Sequence, residues 1–349
     1  MHSTMDDIAR ECRVSTMTVS RVLRGQDCVT AATRDKVLAA ARRLHYEINA
    51  LAQNFAQKRS GFIGIALPFA GLIGTNYLGE IFKGFQRVLR DQPWDLALFD
   101  TLSPSFDDGA KVESLYRSRR VEGLFVIAPN ADDAFLDTFT DLRIPLVVVG
   151  KKVISSKVCC VACDDYHGVE LLCSHLFELG HRRIAFVGGP ENYSVAQKRE
   201  RAYVDFCRDK ELELPAVFIY RGDYTMQSGR EAGLHLLKLD RRPTAIIAAN
   251  DMMAFGVIES THELKLNVPG DVSVGGFDDL PTAAARFPSV TTVHQPVSEM
   301  AECSAKLLVE ALSSGNPPKG DFGVPVSLVT RESTGPVRDP AARKTSRKK

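Results

Sequence analysis

From Gly61 onward, short apolar runs alternate with amphipathic helical stretches, and this alternation limits the possible fold more than any other feature of the chain. The runs are FIGIAL, LALF, LFVIA, LVVVG, RIAFVGG, AIIAA and VSVGGF. Strand-like segments of this kind, spaced by helices, predict parallel sheets covered by helices. The region spans about 275 residues and suits two lobes better than one sheet. With 44% of the 349 residues apolar, material for a buried core is ample.

Residues 1–60 follow another period. In MDDIARECRVSTMTVSRVLRG, the positions Met5, Ile8, Ala9 and Cys12 share one helix face, with Asp6 and Asp7 in the first turn, where the helix dipole favours anions. After a turn at Arg13–Val14, Ser15 caps a second helix that turns Val19, Val22 and Leu23 inward and stops at Gly25. Its outward face carries Thr16, Met17, Ser20 and Arg21. Small polar groups, a flexible apolar side chain and an arginine suit major-groove contact, where arginine reads guanine and apolar groups meet the thymine methyl. On spacing alone an ordinary helical hairpin with a solvated face fits equally well. A third helix, capped near Thr30 and running to about His45, brings Val37, Leu38, Ala41 and Leu44 to close a three-helix core. Asn49 then caps a short helix, residues 50–56, with Leu51 and Phe55 on one side. It is too short to be stable alone, so it suits folding on DNA as a minor-groove wedge, or packing as a linker.

Charge is distributed unevenly. Residues 1–60 carry ten Lys/Arg against six Asp/Glu, residues 338–349 six against one, and the whole chain is only +1. A basic head on an acidic body confines phosphate attraction to the head. The basic tail reads as disordered and solubilising, with added non-specific DNA affinity as the other reading. No apolar run reaches 18 residues and the N-terminus opens directly on a helix, so neither a membrane span nor a signal peptide is supported, and a cytoplasmic location is expected. Eight irregularly spaced cysteines fit reduced thiols.

The segments TMDDIA, VSTMTVSRVL, TRDKVLAAARRLHY, NALAQNFA, IAAND, VGGFDD and RESTGP occur in the order, and over nearly the whole length, that resembles the lactose/galactose-repressor family of bacterial transcription regulators. The resemblance implies an all-α helix-turn-helix headpiece at 1–48, a hinge helix and linker at 49–60, and a two-lobed α/β effector domain of periplasmic-binding-protein type at 61–335, before a tail at 336–349. It implies three crossovers between the lobes. The first lobe is expected at about Gly61–Ala162 plus a return near Thr291–Phe322, the second at Cys163–Val290 plus the final strand. It further implies a homodimer on a pseudo-palindromic double-stranded operator, without a tetramerising heptad repeat after RESTGP. DNA contacts are expected from Thr4, Ser15, Thr16, Met17, Thr18, Ser20 and Arg21, and from Asn49, Ala52 and Phe55 in the hinge.

Ligands of open α/β sheets bind beyond the carboxyl ends of the strands. There the family pattern places Arg199 as an effector clamp, able to hold a carboxylate, phosphate or hydroxyl bidentately. It also places Asn250 and Asp278 against ligand hydroxyls, with Asp251 as the cap of the following helix. Phe69 and Tyr77 follow the first strand and suit stacking on the ligand. Several positions depart from the family. Gly150, followed by Lys151 and Lys152, replaces an acidic residue that often grips sugar hydroxyls, which shifts the expected effector toward a sugar acid or sugar phosphate, unless both lysines are solvated. Arg13 replaces a turn glycine and Ile48 a proline, which lends slight support to a sugar-binding protein that has lost DNA binding. The third reading is a two-lobed enzyme with a helical accessory head, but no P-loop, G-x-S-x-G or H-E-x-x-H motif is present. No cofactor is expected. Cys159, Cys160 and Cys163, near His167, include a C-x-x-C spacing, yet VCCVAC reads first as a buried strand whose cysteines alternate between faces.

Overall fold

A computed structural model describes residues 3–23, 28–46, 60–67, 76–101, 110–127, 136, 143–152 and 158–337. The chain divides into two compact units between Ser60 and Gly61.

The first unit contains α1 (Met5–Cys12), α2 (Thr16–Leu23) and α3 (Ala31–Arg43). Thr4 caps α1 through a reciprocal box: its hydroxyl accepts from Asp7 N at 3.3 Å while Thr4 N donates to Asp7 Oδ2 at 2.9 Å. Arg13 ends α1 in the left-handed region, at φ 51° and ψ 46°. That is where a glycine fits without penalty and arginine is strained. The side chain of Ser15 caps α2, accepting from Thr18 N at 3.1 Å, and Thr30 caps α3. Ile8, Ala9 and Cys12 meet Val19 and Val22 from α2 and Val37, Ala40 and Ala41 from α3 in one small core. Leu38 and Leu44 pack only partly against it, and α3 stops at Arg43 with Leu44 as its cap. The expected stop at Gly25 lies outside the described residues.

The second unit holds two sheets. β1 (Phe62–Leu67), β2 (Asp95–Asp100), β3 (Gly123–Ile127), β4 (Leu146–Val149), β5 (Cys159–Cys163) and β11 (Asp321–Val324) form the first, in the order β11-β5-β4-β3-β1-β2, every pair parallel. β6 (Ile184–Gly188), β7 (Ile219–Arg221), β8 (Ala245–Ala248), β9 (Ser273–Asp278), β10 (Thr291–His294) and β12 (Ser327–Val329) form the second, ordered β12-β10-β9-β8-β6-β7, with β12 antiparallel. The central strands are buried along their whole length, as their apolar runs require. The chain passes between sheets after β5, after β10 and after β11.

The lobe boundaries differ from the expectation: Cys163 belongs to the first sheet, where it pairs with Val324, and the largest difference is at β10. Thr291–His294 does not return to the first lobe: it pairs with Gly275–Asp278 of β9 and completes the second sheet. The return begins after His294, where α11 (Val297–Ser314) packs against the first lobe through Met300, Ala301, Ala305 and Leu308. Its contact with α4 (Asn76–Leu89) is close enough that a Cβ on Gly84 would lie 2.2 Å from Ser298 O.

The remaining described helices are α5 (Ala110–Arg117), α6 (Asp165–Glu178), α7 (Ser194–Asp209), α8 (Met226–Leu237), α9 (Asp251–Glu263) and α10 (Pro281–Ala285). Phe85 stacks on Phe125 in the first lobe at 4.2 Å, and Phe186 on Tyr203 in the second at 5.1 Å. Cys159 and Cys163 enter one core layer of the first lobe and Cys160 the other, as alternation along a strand requires. Burial pushes the Cys159 thiol up to about 12, and no metal-binding group of His, Cys, Asp and Glu exists among the described residues.

Candidate functional site

Two surfaces carry the candidate residues, one on each unit. On the headpiece, α2 turns Thr16, Met17 and Arg21 outward, with Met17 63% exposed. An exposed flexible apolar side chain on the same face as an arginine suits contact with base edges in a groove. Most neighbouring hydroxyls are already bonded. Thr4 donates to Asp7, Ser15 and Thr18 bond each other at 2.9 Å, and Thr16 Oγ1 donates to Asp6 Oδ1 at 2.8 Å. Among the described residues, Ser20 and Arg21 make no side-chain hydrogen bond, so Met17 and Arg21 are the exposed groups whose full valence faces outward. Asn49, Ala52 and Phe55 lie outside the described residues.

The second surface lies beyond the carboxyl ends of the strands of the two-lobed unit. Arg199, on α7 behind the end of β6, is 4% exposed. Its Nε donates to Asp165 Oδ1 at 2.9 Å, Nη2 reaches the same oxygen at 2.8 Å, and Nη1 donates to Ala249 O at 2.5 Å. Asp278 Oδ1 stands 3.8 Å from Nη1, and the guanidinium lies 3.6 Å from the centre of the Phe277 ring. Burial opposes the charge, but Asp165 and Asp278 outweigh it and hold the guanidinium pKa up. Asp165 stands two residues beyond the end of β5, so the same carboxyl-end rule would have found it in CDDYHG.

Asp278, the last residue of β9, and Asp279 after it have φ of 118° and 58°. Successive left-handed residues that are not glycine are strained and need external restraint. Asp251 supplies part of it: its carboxylate accepts from Leu280 N at 2.9 Å and from Thr292 Oγ1 at 2.6 Å. Asp279 is held from the other side by Arg331 Nη2 at 2.6 Å and His294 Nδ1 at 2.9 Å. A Cβ on Gly276 would sit 2.3 Å from Asp251 Oδ1, which accounts for a glycine at that position of VSVGGF. Burial pushes the Asp278 carboxyl well above the usual range, with Asp251 and Asp165 adding to the effect and Arg199 opposing it. Burial likewise raises Asp251, to about 7.

Asp251 is therefore not the helix cap. Asn250 is: its Oδ1 accepts from Met253 N at 2.9 Å while its Nδ2 donates to Tyr224 O at 3.1 Å. Both ends of the Asn250 amide are occupied by backbone. The lysines also separate. Lys152 is 67% exposed at its side chain and pairs with Asp321 at 3.2 Å, whereas Lys151 is buried.

Tyr77, in the first turn of α4, approaches from the first lobe. Its hydroxyl lies 3.2 Å from where a Cβ on Gly150 would stand, and Gly150 has φ 84°. Close approach and left-handed backbone both call for glycine there. Burial raises the Tyr77 phenol, and Asp278 of the other lobe is the next influence. Phe69 lies outside the described residues. Among the described residues, buried side-chain oxygens without a hydrogen-bond partner include Tyr224 Oη, Gln295 Oε1, Ser194 Oγ and Ser298 Oγ. Tyr224 follows β7, Gln295 follows β10, and the two serines begin α7 and α11. A buried polar atom left unpaired costs about 1–3 kcal/mol, so each of these oxygens suits a hydrogen-bonding partner. Tyr224 and Gln295 carry no sequence signal, because only the fold brings their loops to the cleft.

Residues 4–49 match the model of the bacterial regulatory proteins of the lacI family, and residues 173–334 match that of a periplasmic binding protein-like domain. Catabolite control protein A of Priestia megaterium is 28% identical over 96% of this chain and 100% of its own length. The HTH-type transcriptional repressor PurR of Klebsiella pneumoniae is 28% identical over 97% of this chain and 99% of its own. Among solved structures, the Lac repressor dimer bound to operator and the anti-inducer ONPF superposes with a TM-score of 0.83 at 28% identity, covering 96% of this chain and 100% of that one. The transcriptional regulator CelR in complex with cellobiose does so at 0.71 and 26%, covering 95% and 100%.

Proposed function

We propose that this chain, which belongs to the lacI family of bacterial regulatory proteins, is a homodimeric DNA-binding transcriptional repressor set by a small effector held between the lobes of its second unit. The observation that carries this reading is the joining, in one chain, of an outward Met17–Arg21 face on a helix-turn-helix to a two-lobed domain with unpaired buried oxygens at its strand ends. One headpiece reads only a half-site, so two-fold symmetry matches a pseudo-palindrome. The effector acts by linkage, changing operator affinity by as much as its affinity differs between the two lobe arrangements.

The effector is carbohydrate-related. Arg199, Asp278, Tyr77 and Tyr224 offer mixed donors and acceptors to hydroxyls, in line with the cellobiose named for one similar structure. We extend this to an effector bearing an acid group, a sugar acid or sugar phosphate, oriented by Lys151. Burial favours the neutral Asp278 carboxyl, and Arg199 and Asp165 offset each other. That balance leaves a site that does not repel an anion. Asn250 enters this reading as support for the Tyr224 loop.

The test is selection of bound duplexes from a randomised pool by the full-length chain, followed by retardation of the selected duplex across a panel of sugars, aldonic acids and sugar phosphates. A palindromic motif, shifted by one class of the panel, is the expected result. A chain that retains no duplex, yet binds a panel compound, is a sugar-binding protein without DNA function.

A further inference from the structure

Thr16 Oγ1 donates to Asp6 Oδ1 at 2.8 Å, joining the first turn of α2 to the first turn of α1. Neither residue is buried, and the α1 cap is already complete without Asp6, since Thr4 and Asp7 form it. A bond between two exposed side chains contributes little to folding. Its main effect is on geometry. Threonine occupies one of a few staggered rotamers, and holding its hydroxyl against α1 withdraws that donor from the outward face. What remains for a partner is the γ-methyl and the acceptor side of the hydroxyl, with the exposed Met17 next in sequence.

We propose that Asp6 is a positioning residue for DNA specificity, which makes position 16 read the operator through a methyl group instead of a hydroxyl donor. This inference rests on the DNA-binding reading above. Thr16 and Met17 then form an apolar pair suited to a thymine C5-methyl, while Arg21 supplies the polar contact to guanine. The free oxygen of Asp6 also repels nearby phosphate, so it restrains non-specific binding.

Four full-length proteins test this: the parent, Asp6→Asn, Asp6→Ala and Thr16→Val, each used to select duplexes from a randomised pool with the products sequenced. Asp6→Asn keeps an acceptor oxygen and loses the charge. It is expected to enrich the same motif with stronger binding to random DNA. Asp6→Ala removes the acceptor and is expected to lower the preference for thymine at one base pair of each half-site by roughly three- to tenfold, other positions unchanged. Thr16→Val keeps the methyl without the hydroxyl and is expected to preserve that base pair, which keeps the proposal falsifiable even if Asp6→Ala disturbs the fold. Loss of the preference in Thr16→Val, an unchanged motif in Asp6→Ala, or a loss spread evenly over all positions each overturns the role. A parent chain that enriches no motif overturns it together with the DNA-binding reading, whereas an enriched parent motif isolates the outcome to Asp6.

Discussion

Arg199 and Asp165 form a pair 2.8–2.9 Å apart whose side chains are only 5% and 4% exposed. It joins α7 to the segment by which the chain leaves the first lobe, since Asp165 stands two residues beyond the end of β5. Removing one member of such a pair strands a buried charge. Asp165→Ala is expected to lower stability by about 3–5 kcal/mol in urea denaturation, while Arg199→Met with Asp165→Leu recovers most of the loss. A single-variant loss below about 1 kcal/mol would show that Asp278, 3.8 Å away, takes over the guanidinium.

Asp251 gives the molecule a pH dependence of known sign. Burial raises its carboxyl from 3.8 to about 7, so the native state binds a proton that the unfolded chain releases. Its stabilising contribution is full below about pH 4 and is lost as pH rises through about 7. His175 and His181, whose pKa values burial lowers, contribute the opposite slope below 6.5. The measurement is therefore a difference, the parent minus Asp251→Asn, in denaturation midpoints from pH 4 to pH 8. The difference should fall with rising pH, and a flat or rising one contradicts the buried-carboxyl account.

Arg21 should discriminate bases. Arg21→Ala is expected to cost about 1–3 kcal/mol on the selected operator and much less on random duplex. Equal losses on both, read by retardation at fixed salt, would make Arg21 a phosphate contact.

The charge of the effector is open to calorimetry with matched sets: an aldose, its aldonic acid and its phosphate. The acid-bearing members are expected to bind at least about tenfold more tightly, with Lys151→Met removing most of that margin and leaving the aldose unaffected. Preference for the neutral aldose would restrict the site to hydroxyl recognition by Asp278, Tyr77 and Tyr224.

Arg13 holds a left-handed conformation that glycine adopts freely. Arg13→Gly is expected to stabilise the headpiece by about 1 kcal/mol, less the entropy that glycine adds to the unfolded chain. Thermal unfolding of the full-length protein, followed at a probe in residues 1–46, checks it. No gain would mean that contacts of the arginine stem offset the backbone strain.

What the sequence determined by itself was local or periodic. Ile8, Ala9 and Cys12, the buried strands and the caps at Ser15 and Thr30 were readable because side-chain period and capping chemistry act within a few residues. The family pattern together with the strand-end rule pointed to Arg199 and Asp278, and the fold brings the two within 3.8 Å of each other. Long-range pairing was not legible. Whether Thr291–His294 joined the first sheet or the second depended on an edge of β9 that an apolar run does not advertise, and tertiary hydrogen bonds decided it. The assignment of Asn250 as cap, with Asp251 as a strut beneath Leu280 and Thr292, reversed for the same reason: both residues suit either role, and only the packed strand ends show which carboxyl or amide faces inward. Lys151 and Lys152 are adjacent in sequence and chemically alike. Only the turn after β4, with Gly150 left-handed beneath the Tyr77 hydroxyl, buries one and leaves the other in solvent.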